Sequence, residues 1–324
     1  MMNSAMAVLC ALRSARADIS KIFSAQPTQF LHCSGVRLMA ADKELLLKLR
    51  KRTGYSFTNC KKALERFSSD LQQAEAWLHE QAQKEGWSKA SKLQGRKTKD
   101  GLIGLLQDGS SAVLVEVNCE TDFVARNIKF QQLVQQAAIA TMAHCHSKRP
   151  NTVDYAKNSL TTEEITQLKT SLDSCPLADQ LALAIGNLGE NMTIRRAAWV
   201  AVPSDWYIGT YVHGTLPAVS PTLTKMTFGK YGAFVIYRPL EQNSKVNLSE
   251  LGRRLGQHIV GMTPLSVGSM EDPPGDDAET KMLAQPFLLD PGTTVGQFLY
   301  TSGVLLLDFI RYECGEATEM AENV

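Results

Sequence analysis

An excess of either charge is the first thing this chain lacks. Lysine and arginine total 34 against 33 acidic residues, a formal net charge of +1 over 324 residues. A protein that grips long nucleic acid through its phosphates carries a large basic excess, so no nucleic-acid partner is expected. Runs of about 18 or more strongly apolar residues are also missing, so no membrane span is expected. Paired cysteines are absent as well. The seven cysteines stand at 10, 33, 60, 119, 145, 175 and 314 with no Cys-x-x-Cys spacing, the pattern of free thiols in a reducing compartment.

Acids are scarce at the N-terminus. Residues 1–41 hold Arg13, Arg16, Lys21 and Arg37, several serines and a single acid, Asp18. That is the composition of a mitochondrial transit peptide, and a plain N-terminal tail is the alternative. A secretory signal fits less well, because no basic residue precedes the apolar stretch Ala5 to Leu12.

What is present is ordinary globular composition, 44% hydrophobic and 21% charged, with length for two or three compact units. Residues 42–86 read as a three-helix module. Leu45, Leu46 and Leu49 mark one helix ending near Thr53-Gly54, and Cys60, Ala63, Leu64 and Phe67 mark a second. Leu71, Ala74 and Leu78 share a face of a third, capped by Ser69-Asp70. So small a core suits a docking module. Residues 87–100 follow as a basic linker with Lys92, Arg96, Lys97 and Lys99, by default solvated, a nucleic-acid arm being the sharper reading.

A hairpin is expected next, from Leu102–Leu106 and Ala112–Val117 around Asp108-Gly109. A helix carrying Phe130, Leu133, Val134, Ala137 and Ala138 comes after it. Residues 147–175 look polar and irregular, with a short helix at 162–172. A helix over 178–188 and a strand from Arg195 to Val202 complete a first α+β lobe, 101–203. The second lobe, 204–315, repeats this grammar. Leu223–Phe228 and Ala233–Tyr237 read as a hairpin around the Gly229-Lys230-Tyr231-Gly232 turn, followed by a helix from near Leu248 with Leu251, Leu255, His258 and Ile259. Hairpin then helix, twice, predicts two related α+β lobes of antiparallel sheet with packed helices. An acidic linker or loop lies near 268–280, Val304–Tyr312 is a last strand, and residues 316–324 read as a disordered tail.

The conspicuous segment is Val117-Asn118-Cys119-Glu120-Thr121-Asp122-Phe123-Val124-Ala125, where a buried strand gives way to a helix. Two readings stand. Thr121 and Asp122 suit a helix cap, with Phe123 a core or staple residue. Alternatively Phe123 projects outward beside an acid, as an anchor for a partner's pocket.

The run NCETDFVARN closely resembles the signature of the elongation factor Ts family, and other motifs agree in order. They are Arg52-Thr53-Gly54 with Asn59-Cys60-Lys61-Lys62-Ala63-Leu64, Leu188-Gly189-Glu190-Asn191 with Ile194-Arg195-Arg196, Tyr211-Val212-His213-Gly214, Gln285-Pro286-Phe287, and Phe309-Ile310-Arg311-Tyr312-Glu313. The match covers roughly residues 43–315. The resemblance implies a non-enzymatic guanine-nucleotide exchange factor for elongation factor Tu, GDP-bound and nucleotide-free, with a ubiquitin-associated-like N-terminal module and no cofactor. Bacterial members insert a long coiled-coil excursion after the position of Met262-Thr263-Pro264. This chain has only the acidic segment there, as in the mitochondrial type, which implies one copy per partner in the mitochondrial matrix. The resemblance assigns partner contacts to Thr121, Asp122, Phe123 and Val124, with Asp122 and Phe123 wedging near the partner's magnesium site. It adds Phe57 and Thr58 from the helical module, within a Tyr55–Thr58 stretch that departs from the family's small or Met residues, and His213 from the second lobe.

Two rival classes fit parts of the sequence. Cys119 beside Glu120 and Asp122, with His213 elsewhere, imitates a thiol-catalysis set. The helical module alone suits a ubiquitin-binding scaffold or adaptor. His144-Cys145-His146 lacks recognisable zinc spacing, and adjacent helical residues point in different directions.

Overall fold

The computed structural model describes residues 43–53, 55–148, 154–170, 175–216, 226–240, 246–276 and 278–317. The expected transit peptide and most of the expected tail lie outside them. The chain divides into two compact units, Met1–Glu75 and Ala76–Val324.

The first unit contains α1 (Lys43–Thr53), α2 (Phe57–Arg66) and the start of α3 (Leu71–Leu93). Leu46, Leu49, Cys60, Ala63, Leu64 and Ala74 are buried, the apolar positions that periodicity selects. Ser56 caps α2, its hydroxyl accepting from the Asn59 amide at 3.2 Å. Asp70 does the same for α3, accepting from the amides of Gln72 and Gln73. The helix α3 continues past the expected boundary at 86 to Leu93, so Lys89 and Lys92 of the basic stretch stand on a helix.

The second unit is built on two antiparallel sheets. The strands of the first sheet are β1 (Asp100–Asp108), β2 (Ser111–Cys119), β3 (Ala156–Thr161), β4 (Met192–Ala201) and β6 (Met226–Gly229), in the order β3-β4-β2-β1-β6. The second has β5 (Tyr207–His213), β7 (Tyr231–Pro239) and β10 (Val304–Glu313), in the order β10-β7-β5. A two-stranded ribbon joins β8 (Pro286–Phe287) to β9 (Asp290–Thr294). The helices are α4 (Asp122–Ala125), α5 (Ile128–Lys148), α6 (Thr162–Gln167), α7 (Leu177–Leu188), α8 (Leu248–Met262) and α9 (Val295–Ser302).

Strand alternation explains the layering. Leu102, Val113, Val115 and Val117 face α5 in one core, with Phe130, Leu133, Val134 and Ile185. Their neighbours Ile103, Leu105, Ala112 and Leu114 face the second sheet, against Ile208, Phe234, Ile236 and Tyr312. A third core lies on the far side of that sheet, where Ala233, Val235 and Tyr237 meet Leu251, Leu255 and Ile259 of α8. The order is helix, sheet, sheet, helix, and β2 is buried along its whole length because both of its faces are covered. The expected α+β class, with an N-terminal helical module and two lobes of antiparallel sheet and helix, is what the structure has.

Some local expectations need correction. The Gly229–Gly232 segment does not close a hairpin. Instead β6 pairs with β1, from Ile103↔Gly229 to Leu106↔Met226, while β7 pairs with β5 and β10. The turn hands the chain from one sheet to the other. Within 147–175 an edge strand, β3, pairs with β4, and the helix expected over 162–172 stops at Gln167. A capping box of Thr161 and Glu164 starts that helix. The acidic segment is a loop closed at its base, where Leu265 donates to Thr280, Met282 to Ser266 and Leu283 to Val267. Glu316, expected in a disordered tail, forms ion pairs with Arg196 at 2.9 Å and Arg311 at 3.0 Å.

Candidate functional site: an exposed phenylalanine on a latched corner

Strand β2 ends at Cys119, and after two intervening residues the one-turn helix α4 begins at Asp122. Thr121 is its N-cap, with φ −132° and ψ 154°, and its hydroxyl accepts from the Val124 amide at 3.4 Å. The helix is anchored by Ala125, which is buried, while Val124 packs partly against the first core. On the opposite side Phe123 is 82% exposed. Both earlier readings of the segment are therefore half right: Thr121 is a cap, and Phe123 is a projecting ring. Asp122, at the first helical position, pairs with Arg126 one turn on at 3.5 Å, and both side chains remain substantially in solvent.

Nearly every polar group behind the ring is engaged. Thr121 donates its hydroxyl to Glu190 Oε1 at 2.6 Å and its amide to Glu190 Oε2 at 3.1 Å. Glu190 belongs to the turn after α7, where Gly189 takes the left-handed φ of 77° that ends the helix. The reverse bond is also made: the Asn191 amide donates to Glu120 Oε1 at 2.7 Å. Each corner thus supplies a carboxylate to the other's backbone N–H. Arg96 completes the set, pairing with Glu120 at 3.4 Å and accepting at its carbonyl from Asn191 Nδ2 at 2.8 Å. From sequence, Glu120 stood beside Cys119 in an imitated thiol set, Glu190 and Asn191 in a family motif, and Arg96 in the basic linker, none of them as part of a latch. Their one visible signal was the recurrence of Glu beside a helix boundary in both motifs.

Cys119 is not a nucleophile. It is fully buried and donates its Sγ–H to the Thr121 carbonyl at 3.1 Å. Burial, with the nearby Glu190 and Asp100 carboxylates adding to it, pushes the thiol up to about 12, so the thiolate that chemistry needs is scarce at neutral pH. His213 sits at the end of β5 and is not brought to Cys119. It contacts Tyr211, whose hydroxyl lies 3.3 Å from Nδ1, and lines a cleft of about 450 Å³ with Tyr231, Val260, Leu288 and Arg311. Cys145 is buried between the half-buried His144 and exposed His146. Among the described residues no group of three or more His, Cys, Asp or Glu is arranged to hold a metal. No described helix is long and apolar enough to cross a membrane.

In the first unit, Phe57 occupies the first turn of α2 and is 49% exposed, and Thr58 beside it is also exposed.

The family described as "Elongation factor Ts, mitochondrial, N-terminal" matches residues 28–88, and "Elongation factor TS" matches residues 120–274. The mitochondrial elongation factor Ts of Xenopus laevis is 64% identical, covering 94% of this chain and 96% of its own length. The protein of that name from Homo sapiens is 60% identical over 93% of this chain and 92% of its own, and that from Aedes aegypti 43% over 91% and 96%. At such identity over nearly full length, this chain belongs to the elongation factor Ts family, of the mitochondrial type.

Proposed function

We propose that this chain is the guanine-nucleotide exchange factor of mitochondrial elongation factor Tu, acting in the matrix as one copy per partner. Family membership supports nucleotide exchange in translation elongation as the activity. The single observation that carries the mechanism is the Phe123 ring, 82% exposed on a corner whose Thr121 and Val124 amides are both held by side chains. An apolar ring left in water on a rigid support gains by entering a partner's pocket, and full burial of a phenylalanine contributes about 1.5–3 kcal/mol.

A catalyst of GDP release must bind the disrupted nucleotide site better than the intact one, since equal affinity shifts nothing. Coupling is reciprocal, so a factor that weakens GDP is itself weakened by GDP. In this reading Phe123 enters a pocket beside the partner's magnesium site and opposes part of the cost of deforming it. Asp122 brings a carboxylate near the metal, where it competes with the ion's own ligands. Thr121 and Val124 flank the wedge, with Thr121 acting from within as its cap. Phe57 and Thr58 of the helical module and His213 of the second lobe add separate contacts. No covalent step is involved, and the buried thiol at Cys119 is a packing group.

Stopped-flow release of a fluorescent GDP analogue from purified mitochondrial elongation factor Tu tests the wedge. Phe123→Ala is expected to fold normally, since it loses no internal packing, and to slow release at least tenfold, equivalent to about 1.4 kcal/mol in barrier. An unchanged rate removes Phe123 from the mechanism.

A further inference from the structure

The reciprocal carboxylate bonds behind Phe123 join segments some 70 residues apart in sequence, the Thr121–Glu190 and Asn191–Glu120 bonds spanning 69 and 71 residues. We propose that Glu190, with Glu120 as its counterpart, is the positioning residue of the exchange reaction, holding α4 in the orientation from which Phe123 acts. This rests on the wedge reading above.

A helix of four residues has too few internal hydrogen bonds to persist on its own. What fixes α4 therefore comes from outside it. Ala125 and Val124 press its inner side on the first core. The start of the turn is fixed by Thr121, whose backbone is held at both ends. Its amide goes to Glu190 at 3.1 Å, and its carbonyl accepts from Cys119 Sγ at 3.1 Å and from the Ala125 amide at 3.3 Å. Its hydroxyl has a double duty, donating to Glu190 and accepting from Val124. The short bond to the Glu190 carboxylate orients the hydroxyl hydrogen away from α4, leaving the oxygen lone pair aimed at the Val124 amide. Glu190 thus sets the rotamer that makes Thr121 a cap.

The support under Glu190 is itself fixed. Gly189 places it directly after α7, and Asn191 next to it is tied to Glu120 and to the Arg96 carbonyl. The two corners are joined in both directions, Thr121 to Glu190 and Asn191 to Glu120, so backbone and hydrogen bonds together close a ring. A ring of this kind costs nothing to organise at the moment of binding, the condition for effective preorganisation. Removing Glu190 leaves the Phe123 ring in place chemically, yet releases the cap that aims it.

A double-mutant cycle on the full chain tests this, with GDP-release rate as readout and Phe123→Ala, Glu190→Ala and the double variant as corners. Glu190→Gln serves as a milder variant that keeps one acceptor oxygen. Melting temperature and amide hydrogen exchange at Thr121 and Val124 are followed in parallel. The expected result is slowing of about tenfold by Glu190→Ala, with faster exchange at Val124 and a melting temperature within a few degrees of the parent. The same substitution in the Phe123→Ala background is expected to change the rate less than about twofold, because residues acting through one another are non-additive. If Phe123→Ala is slow but Glu190→Ala and Glu190→Gln match the parent, or if the two losses simply multiply, the positioning role is overturned while the wedge stands. If Phe123→Ala itself is without effect, both fall together.

Discussion

At the scale of single residues, the second unit contrasts two exceptional side chains, one apolar and outside, the other charged and inside. Glu116 on β2 is fully buried, and its carboxylate takes Arg195 at 3.0 Å and Arg196 at 2.6 Å. It also accepts from Asn118 Nδ2 at 3.1 Å and from the Gly315 amide at 2.8 Å. A buried carboxylate survives only when paired and bonded this fully. Arg196 lies over the Tyr312 ring, 4.1 Å from its centroid, and so closes the cluster on the β10 side. Glu116→Gln keeps the shape and removes the charge that Arg195 and Arg196 share, while Arg196 keeps its pair with Glu316. Urea unfolding is expected to show a loss of about 2–3 kcal/mol, while the GDP-release rate of the folded variant stays near the parent's. An equal stability would mean the cluster is neutral in balance, as buried pairs sometimes are. Phe123 obeys the opposite logic: its substitution touches activity and leaves stability alone.

Among elements, helix α8 carries the clearest pH dependence. His258 is buried on its inner face, donating Nε2–H to Gln285 Oε1 at 2.9 Å and accepting at Nδ1 from the Leu288 amide at 3.2 Å. Gln285 in turn donates to the carbonyls of Met262 and Glu279, tying the end of α8 to the closed acidic loop. Burial holds the imidazole down at about 4, against 6.5 for a free histidine, the bond to Gln285 offsetting part of that fall. Between those values the unfolded chain binds the extra proton and the folded chain does not. Stability is therefore full above about pH 6.5 and drains away as pH falls toward 4. Thermal melts over that window are expected to decline more steeply for the parent than for His258→Gln, which is less stable at neutral pH but does not titrate there. Parallel slopes would assign the acid sensitivity to other groups.

The same elements show what the sequence discloses and what it hides. Helical spacing was enough for α2, α5, α7 and α8, and the β1–β2 hairpin could be read from Asp108-Gly109 between apolar runs. Strand β3 was hidden because it is an edge strand with a burial pattern dominated by exposed residues, and no alternation marks it. Strand β6 misled because its turn chemistry is local whereas its partner, β1, lies more than a hundred residues earlier. Periodicity left Phe123 undecided between staple and anchor, and the family resemblance, not the spacing, favoured the outward ring. The latch was invisible for a different reason. Its carboxylate acceptors are common glutamates, and two of its bonds come from backbone amides, which carry no sequence signature.

At the scale of the whole molecule, the second unit is closed by its own last residues. Gly315 bonds to Glu116 of the first sheet, the carbonyl of Glu316 accepts from Arg195, and its carboxylate holds Arg196 and Arg311. Truncation after Cys314 removes all of these and leaves Glu116, on the central strand β2, without the Gly315 amide and its arginines without Glu316. The melting temperature is expected to fall by about 5 °C, corresponding to roughly 2 kcal/mol for a unit of this size. A truncated chain melting with the parent would make the C-terminal bonds incidental. Strand β6 extends the point to the order in which the chain is made. A polypeptide delivered from its N-terminus presents β1 with one edge bare until residues 226–229 arrive, and keeps Glu116 short of a partner until residue 315 does. Open strand edges invite foreign pairing. Until the second lobe is made, the first keeps an open strand edge and an incomplete Glu116 cluster, so a pause in synthesis or transport between them would hold the chain with that edge exposed.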